Sequence, residues 1–232
     1  MFRIKICGVT SAADARLSAE AGADAIGLNF FSGSPRRVTL EAAREIAAAV
    51  PRHVCKVGVF VNASADEIRH TFADVLLDLV QLHGDEPPEL LESLRGVPTM
   101  RAFRLGEDVA GDLAAAGGYL EACHRLRAVP RMVLVDAARA GHYGGTGATV
   151  NWQLVNEGRR HLAGAPLVLA GGLTSENVAA AIATVRPWAV DTASGVEDSP
   201  GRKSPERVAA FVAEATRALT DSARANQGEI SK

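Results

Sequence analysis

Cysteine is scarce in this 232-residue chain, with three in all, and aromatic side chains make up only 5% of it. Cys7, Cys55 and Cys123 show neither CxxC pairing nor metal-ligand spacing, so the sequence supports neither a disulfide framework nor a thiolate metal site. No set of His, Asp and Glu has convincing ligand spacing either, and no metal is expected. Charge of one sign is also missing: 25 Lys and Arg stand against 27 Asp and Glu, for a formal net charge of −2, and they are scattered. That distribution lacks the basic footprint of a nucleic-acid binder. No apolar run approaches the roughly 18 residues of a membrane span. The start "MFRIKICG" has no cationic segment leading into an apolar stretch and cleavage site. The expectation is a cytoplasmic protein with reduced thiols, no membrane anchor and no nucleic-acid partner.

What the chain does have is apolar content, 47% of its residues, enough for one substantial core. That content recurs as eight short runs about every 20 to 35 residues: "RIKIC" (3–7), "DAIGLNF" (24–30), "CKVGVFV" (55–61), "LDLVQLH" (77–83), "TMRAFRL" (99–105), "RMVLVDA" (131–137), "PLVLAGG" (166–172) and "WAVDTAS" (188–194). Helical signals lie between them. Ser64 with Glu67 fits a capping box, and Ser204 followed by Pro205 places a cap before a proline at the first helical position. From there Val208, Phe211, Val212, Ala215 and Leu219 form one apolar stripe. Eight strand-then-helix units predict a single-domain α/β protein, a (β/α)8 TIM barrel, over residues 1–220. An open doubly wound sheet is the alternative. Residues 221–232 lose the apolar periodicity and are expected to form a disordered tail. The glycine-rich segment 138–152 reads as a long loop on the face where barrel enzymes keep their chemistry.

In a barrel that face collects the C-terminal ends of the strands. Here they supply Cys7, Asn29, Gln81, His83, Asp136, Gly171, Gly172, Asp191, Ser194 and Gly195. Gly171 and Gly172 follow the seventh run, and Ser194 and Gly195 the eighth. Loops at those two places often hold a phosphate on bare backbone N–H groups, although such glycines also simply make tight turns. Asp136 closes an apolar run, where lost solvation would favour its protonated form and suit it to act as a general acid; it could equally cap a loop. Cys7 immediately precedes a helix start, an environment that can activate a thiol, yet free cysteines are among the most buried residues. Arg36 and Arg37 stand in the loop after the second run, where an arginine can grip a carboxylate at two points or simply be solvated. Gln81 and His83 are candidate substrate contacts, His83 also a possible proton carrier.

Several segments together resemble a known family: "KICGVT", "GLNFFSGSPRRV", "VGVFVN", "VQLHGDE", "VLVDA" with "YGGTG", "LAGGLTSENV" and "VDTASGVE". They are similar to the N-(5′-phosphoribosyl)anthranilate isomerases of tryptophan biosynthesis, in matching order from about Arg3 to Leu219. The most specific combination pairs "KICG" near the start with "SGVE" near the end. The resemblance implies a (β/α)8 barrel that performs an Amadori rearrangement of an aminoaldose phosphate, without cofactor, as a monomer or homodimer. It implies Cys7 as general base, Asp136 as general acid, Arg36 for the anthranilate carboxylate and Asp191 beside the ribose. Phosphate binding falls on Gly171, Gly172, Ser194 and Gly195, with Gly145 and Gly147 of "YGGTG" closing nearby. Arg101 and Asn151 depart from the lysine and acid more usual in the family. Two other readings stand beside this one: a sister barrel acting on the aminoaldose of histidine biosynthesis, and a phosphosugar-binding barrel without catalysis.

Overall fold

Strand parity decides what this chain can build. Successive strand residues face opposite sides, and the computed structural model sorts them into two cores. Ala25, Val57, Leu79, Met100, Met132, Leu134, Val168 and Ala189 pack together inside a barrel, while Ile26, Leu28, Val80, Leu82, Val133, Val135, Leu169 and Val190 face the surrounding helices. The structure describes residues 1–137, 151–162 and 164–230; the side chains at 137 and 225–230 also lie outside the description.

The strands are β1 (Ile4–Cys7), β2 (Ala25–Asn29), β3 (Cys55–Phe60), β4 (Leu79–Leu82), β5 (Thr99–Leu105), β6 (Met132–Ala137), β7 (Leu167–Leu169) and β8 (Ala189–Thr192). They pair in parallel in that order and close β8 onto β1. The helices are α1 (Ala12–Glu20), α2 (Leu40–Ala49), α3 (Ala65–Val75), α4 (Pro88–Ser93), α5 (Val109–Arg125), α6 (Trp152–Gly158), α7 (Val178–Val185) and α8 (Pro205–Ile230). The closed barrel is therefore the (β/α)8 fold expected above, and the open sheet is excluded.

Local chemistry starts the helices where the sequence places them. The Ser11 hydroxyl accepts from the Asp14 N–H at 3.1 Å at the head of α1. Ser64 and Glu67 form a complete capping box at α3. Along α8, Val208, Phe211, Val212, Ala215 and Leu219 are all buried. Helical backbone continues beyond that stripe to Ile230.

Parity also explains how the barrel makes a site. The inward positions that are apolar low in the barrel become polar one step further along: Leu79 is followed by Gln81, Leu134 by Asp136, and Ala189 by Asp191. On β1, inward Lys5 is followed by Cys7. The β1–β8 register sets Lys5 against Asp191, and β1–β2 sets Cys7 against Gly27. After β8 the chain adds a short antiparallel hairpin, β9 (Glu197–Ser199) with β10 (Arg202–Lys203), before α8.

Candidate active site

The polar strand ends surround one cavity of ≈ 340 Å³ at the C-terminal mouth of the barrel. It is lined by Cys7 from β1, Asn29 from β2, Arg36 from the following loop, Gln81 and His83 from β4, and Asp136 from β6; the seventh and eighth strand ends add Gly171, Gly172, Asp191 and Ser194. These six strand ends with their following loops meet on one concave surface, as the strand-end argument requires.

On the β1 side, Lys5 is fully buried and its Nζ donates to Asp191 Oδ1 at 2.9 Å. Burial works against the Lys5 ammonium, but Asp191, and then Cys7, hold its pKa above the ordinary lysine value. Cys7 is partly exposed to the cavity. Burial pushes its thiol above the usual cysteine value and the Asp191 carboxylate adds to that, while Lys5 and Lys203 oppose it. Arg36 is buried, unlike Arg37, and makes a two-point pair with Glu197: Nε to Oε1 at 2.9 Å and Nη2 to Oε2 at 2.7 Å. Burial alone would raise Glu197, but Arg36 and Lys203 hold its carboxyl below the ordinary value.

Across the cavity, Asp136 is 5% exposed, and its Oδ2 lies 3.3 Å from His83 Nε2. Gln81 Nε2 is 2.9 Å from His83 Nδ1. With the amide donating to Nδ1, the neutral ring carries its proton on Nε2, on the side of Asp136. That contact falls short of a hydrogen bond, and His83 Nε2, like Gln81 Oε1, is a buried polar atom without a hydrogen-bond partner among the described residues. Arg101 fixes the backbone here, donating to Leu82 O and Gly84 O at 3.0 Å each, on either side of His83. Its Nη1 also pairs with Glu86 at 2.8 Å, whose carboxylate accepts from the Gly84 N–H.

The third wall is backbone. Gly171 and Gly172 have φ of +91° and +63°, a region that side chains disfavour. Asn177 holds this turn, with its amide nitrogen donating to Gly172 O and its carbonyl accepting from the Thr174 N–H, both at 2.9 Å. Gly195 lies so close that a Cβ would sit 1.9 Å from Leu173 O, which locks the loops after β7 and β8 together. Two adjacent turns stripped of side chains can bring peptide N–H groups up to an anion.

The structure thus brings Cys7, Asp136, Arg36, Gln81, His83, Asp191, Gly171, Gly172 and Ser194 to one cavity. Gly195 supports the wall from behind. Gly145 and Gly147, and the proposed loop 138–152 apart from its last two residues, lie outside the described residues. Sequence reasoning missed Lys5, Glu197 and Lys203. Lys5 had a signal, since it shares its strand face with Cys7, and Glu197 closes the "SGVE" motif without having been given a role; Lys203 had none short of the closed fold.

This arrangement defines a class: a (β/α)8 barrel with a phosphate-type double loop, a thiol and a carboxyl group facing one cavity. A family model described as N-(5′phosphoribosyl)anthranilate (PRA) isomerase matches residues 4–214. A protein of Rubrobacter xylanophilus named N-(5′-phosphoribosyl)anthranilate isomerase is 45% identical over 217 residues, covering 93% of this chain and 99% of that one. The crystal structure of the phosphoribosyl anthranilate isomerase from Thermotoga maritima superimposes with a TM-score of 0.82 at 37% identity, covering 94% of this chain and all of that one. A further structure, of the enzyme in complex with reduced 1-(o-carboxyphenylamino)-1-deoxyribulose 5-phosphate, has a TM-score of 0.79 at 37% identity and covers the same shares. The chain belongs to the N-(5′-phosphoribosyl)anthranilate isomerase family, the isomerases of tryptophan biosynthesis.

Proposed function

We propose that this chain converts N-(5-phosphoribosyl)anthranilate to 1-(2-carboxyphenylamino)-1-deoxyribulose 5-phosphate with Cys7 as general base and Asp136 as general acid. The observation that carries this is the placing of Cys7 and Asp136, on strands β1 and β6, in one cavity whose remaining wall is the double glycine loop. The phosphate is held by the backbone around Gly171, Gly172, Ser194 and Gly195, with Gly145 and Gly147 completing its cover. Arg36 takes the anthranilate carboxylate, with Nε and Nη2 anchored to Glu197 and Nη1 left to reach it. Gln81, His83 and Asp191 contact the sugar; the unpartnered Gln81 Oε1 and His83 Nε2 suit a hydroxyl-bearing ligand.

Asp136 gives its proton to the furanose ring oxygen, the C1–O bond breaks, and the anthranilate nitrogen supplies the electron pair that forms an iminium. That iminium acidifies the C2 hydrogen. The Cys7 thiolate removes this proton, the C2–H electrons form the enolamine, and tautomerisation delivers the C2 ketone. Hydrogens move within one carbon skeleton, so the rearrangement has no net oxidant or reductant. Each positioned proton transfer is worth about 10²- to 10⁴-fold in rate.

Among the described residues no helix is long and apolar enough to cross a membrane. The family's biosynthetic role supports a cytoplasmic location, and one of its solved members is described as dimeric. The purified chain should turn over N-(5-phosphoribosyl)anthranilate without added metal or cofactor. Assay of the aminoaldose of histidine biosynthesis alongside decides the specificity, and turnover of that substrate alone would overturn this assignment.

A further inference from the structure

The hairpin β9–β10 is not needed to close the barrel, yet it reaches the working parts of the site. Lys203 on β10 is 2% exposed, and its Nζ lies 2.6 Å from Cys7 O, 3.2 Å from Ala193 O and 2.8 Å from Glu197 Oε1. Three oxygen acceptors can all be met only by the ammonium form, which has three N–H donors. Glu197 on β9 in turn holds Arg36. The hairpin is tied down from outside: the Lys203 N–H donates to Asp14 Oδ2 at 3.2 Å, and the Thr10 hydroxyl donates to Gly201 O at 2.6 Å.

We propose that Lys203 is a positioning residue for Cys7: it pins the peptide bearing the thiol to the peptide that enters the phosphate loop, and it sets a fixed positive charge beside the sulfur. This rests on the reading of Cys7 as the base. Ala193 directly precedes Ser194, so one ammonium fixes the spacing between the phosphate wall and the thiol, and with it the approach of the sugar C2 to Sγ. The charge balance supports the second role. Around Cys7 stand Lys5 from β1, Asp191 from β8, Arg36 from the loop after β2, and Glu197 and Lys203 from the hairpin. Lys5 pairs with Asp191, while Arg36 and Lys203 share the single carboxylate of Glu197, so these five groups carry one net positive charge. Burial pulls the Lys203 pKa below the ordinary lysine value, with Glu197 and then Cys7 opposing that fall; a buried ammonium is costly unless its surroundings repay it, and a thiolate base is a group that benefits.

The test uses Lys203→Met in the full-length chain, where Glu197 keeps its pair with Arg36 and no carboxylate is orphaned. Two quantities are read: steady-state kinetics, and the pH profile of Cys7 alkylation by iodoacetamide, followed on the Cys7 peptide by mass spectrometry so that Cys55 and Cys123 do not interfere. Expected are a fall in kcat of about tenfold or more with KM within about threefold, and a rise of about half a pH unit or more in the alkylation midpoint. Lys203→Gln, which keeps an amide donor but no charge, should recover part of kcat without restoring the midpoint. A wild-type midpoint and kcat in the folded protein, with only thermal stability lowered, would overturn the proposal. If Lys203→Met does not fold, the midpoint of Lys203→Gln decides; failure of both to fold would assign Lys203 to the fold alone and overturn it too. The base assignment fails separately, through near-full turnover in Cys7→Ala, because the alkylation profile does not depend on turnover.

Discussion

Cys7 and Asp136 are small changes to make and large ones to feel. Cys7→Ala and Asp136→Asn should each lower kcat by about a hundredfold or more while the protein still folds and binds a product analogue. Circular dichroism and equilibrium binding check the fold and affinity, and near-normal turnover in either variant removes that residue from the mechanism. With burial holding the Cys7 thiol above its ordinary value, the thiolate fraction, and with it kcat/KM, should still be rising at pH 9. A profile that is flat from neutral pH upward would contradict a thiolate base. Arg36→Ala should act mainly on KM, raising it by roughly tenfold or more, since the charge-assisted contact from Nη1 to the substrate carboxylate is lost; an unchanged KM would move the carboxylate contact elsewhere. At this scale the sequence was half legible. It placed Cys7, Asp136 and Arg36 at strand ends or in a strand-end loop, but it could not separate a working thiol from a packed one. The role of Glu197, although it ends the "SGVE" motif, and Lys203 altogether were unreadable because each is a charged residue in a short polar stretch, which by itself looks like solvated surface. Only ring closure buries them.

The loops after β7 and β8 behave as one element. Because a Cβ on Gly195 would lie 1.9 Å from a backbone oxygen, Gly195→Ala must push the two turns apart. The variant should lose about 1–3 kcal/mol of stability and bind inorganic phosphate several-fold more weakly, while the pH profile of Cys7 alkylation stays near that of the wild type. Phosphate affinity unchanged in calorimetry would take these turns out of anion binding. The strands were legible because eight parallel strands buried on both faces read as apolar runs. Five of the eight runs pass the C-terminal end of the strand by one to three residues, and at His83 and Gly171–Gly172 that is where the chain leaves the ladder to line the cavity. The β9–β10 hairpin escaped because its strands are three and two residues long with no apolar alternation. Beyond Leu219, Ala and Arg give α8 helical propensity without an apolar stripe, so periodicity alone is silent about that segment.

Across the whole molecule the three thiols act in one direction. Burial pushes Cys7 above its ordinary value, and raises Cys55 and Cys123 from 9.0 to about 11 each. A thiol that stays protonated in the folded chain but ionises in the unfolded one contributes stability that is complete below pH 9 and is lost as pH rises toward 11. The urea midpoint should therefore fall between pH 8 and pH 10.5, and fall less in a Cys55→Ser, Cys123→Ala variant. An identical fall in both proteins would place the alkaline loss in other groups.

Lys203 and Cys7 meet although they are 196 residues apart in the chain. During synthesis the thiol leaves the ribosome long before its ammonium partner exists, by roughly 10 to 40 s at 5–20 residues per second. Until the hairpin forms, no ammonium pins the Cys7 peptide, and its thiol is open to oxidants and to exchange with disulfides. The completed hairpin therefore marks the moment when a vulnerable nascent segment becomes sheltered, and damage acquired before it would be sealed into every copy that closes too late.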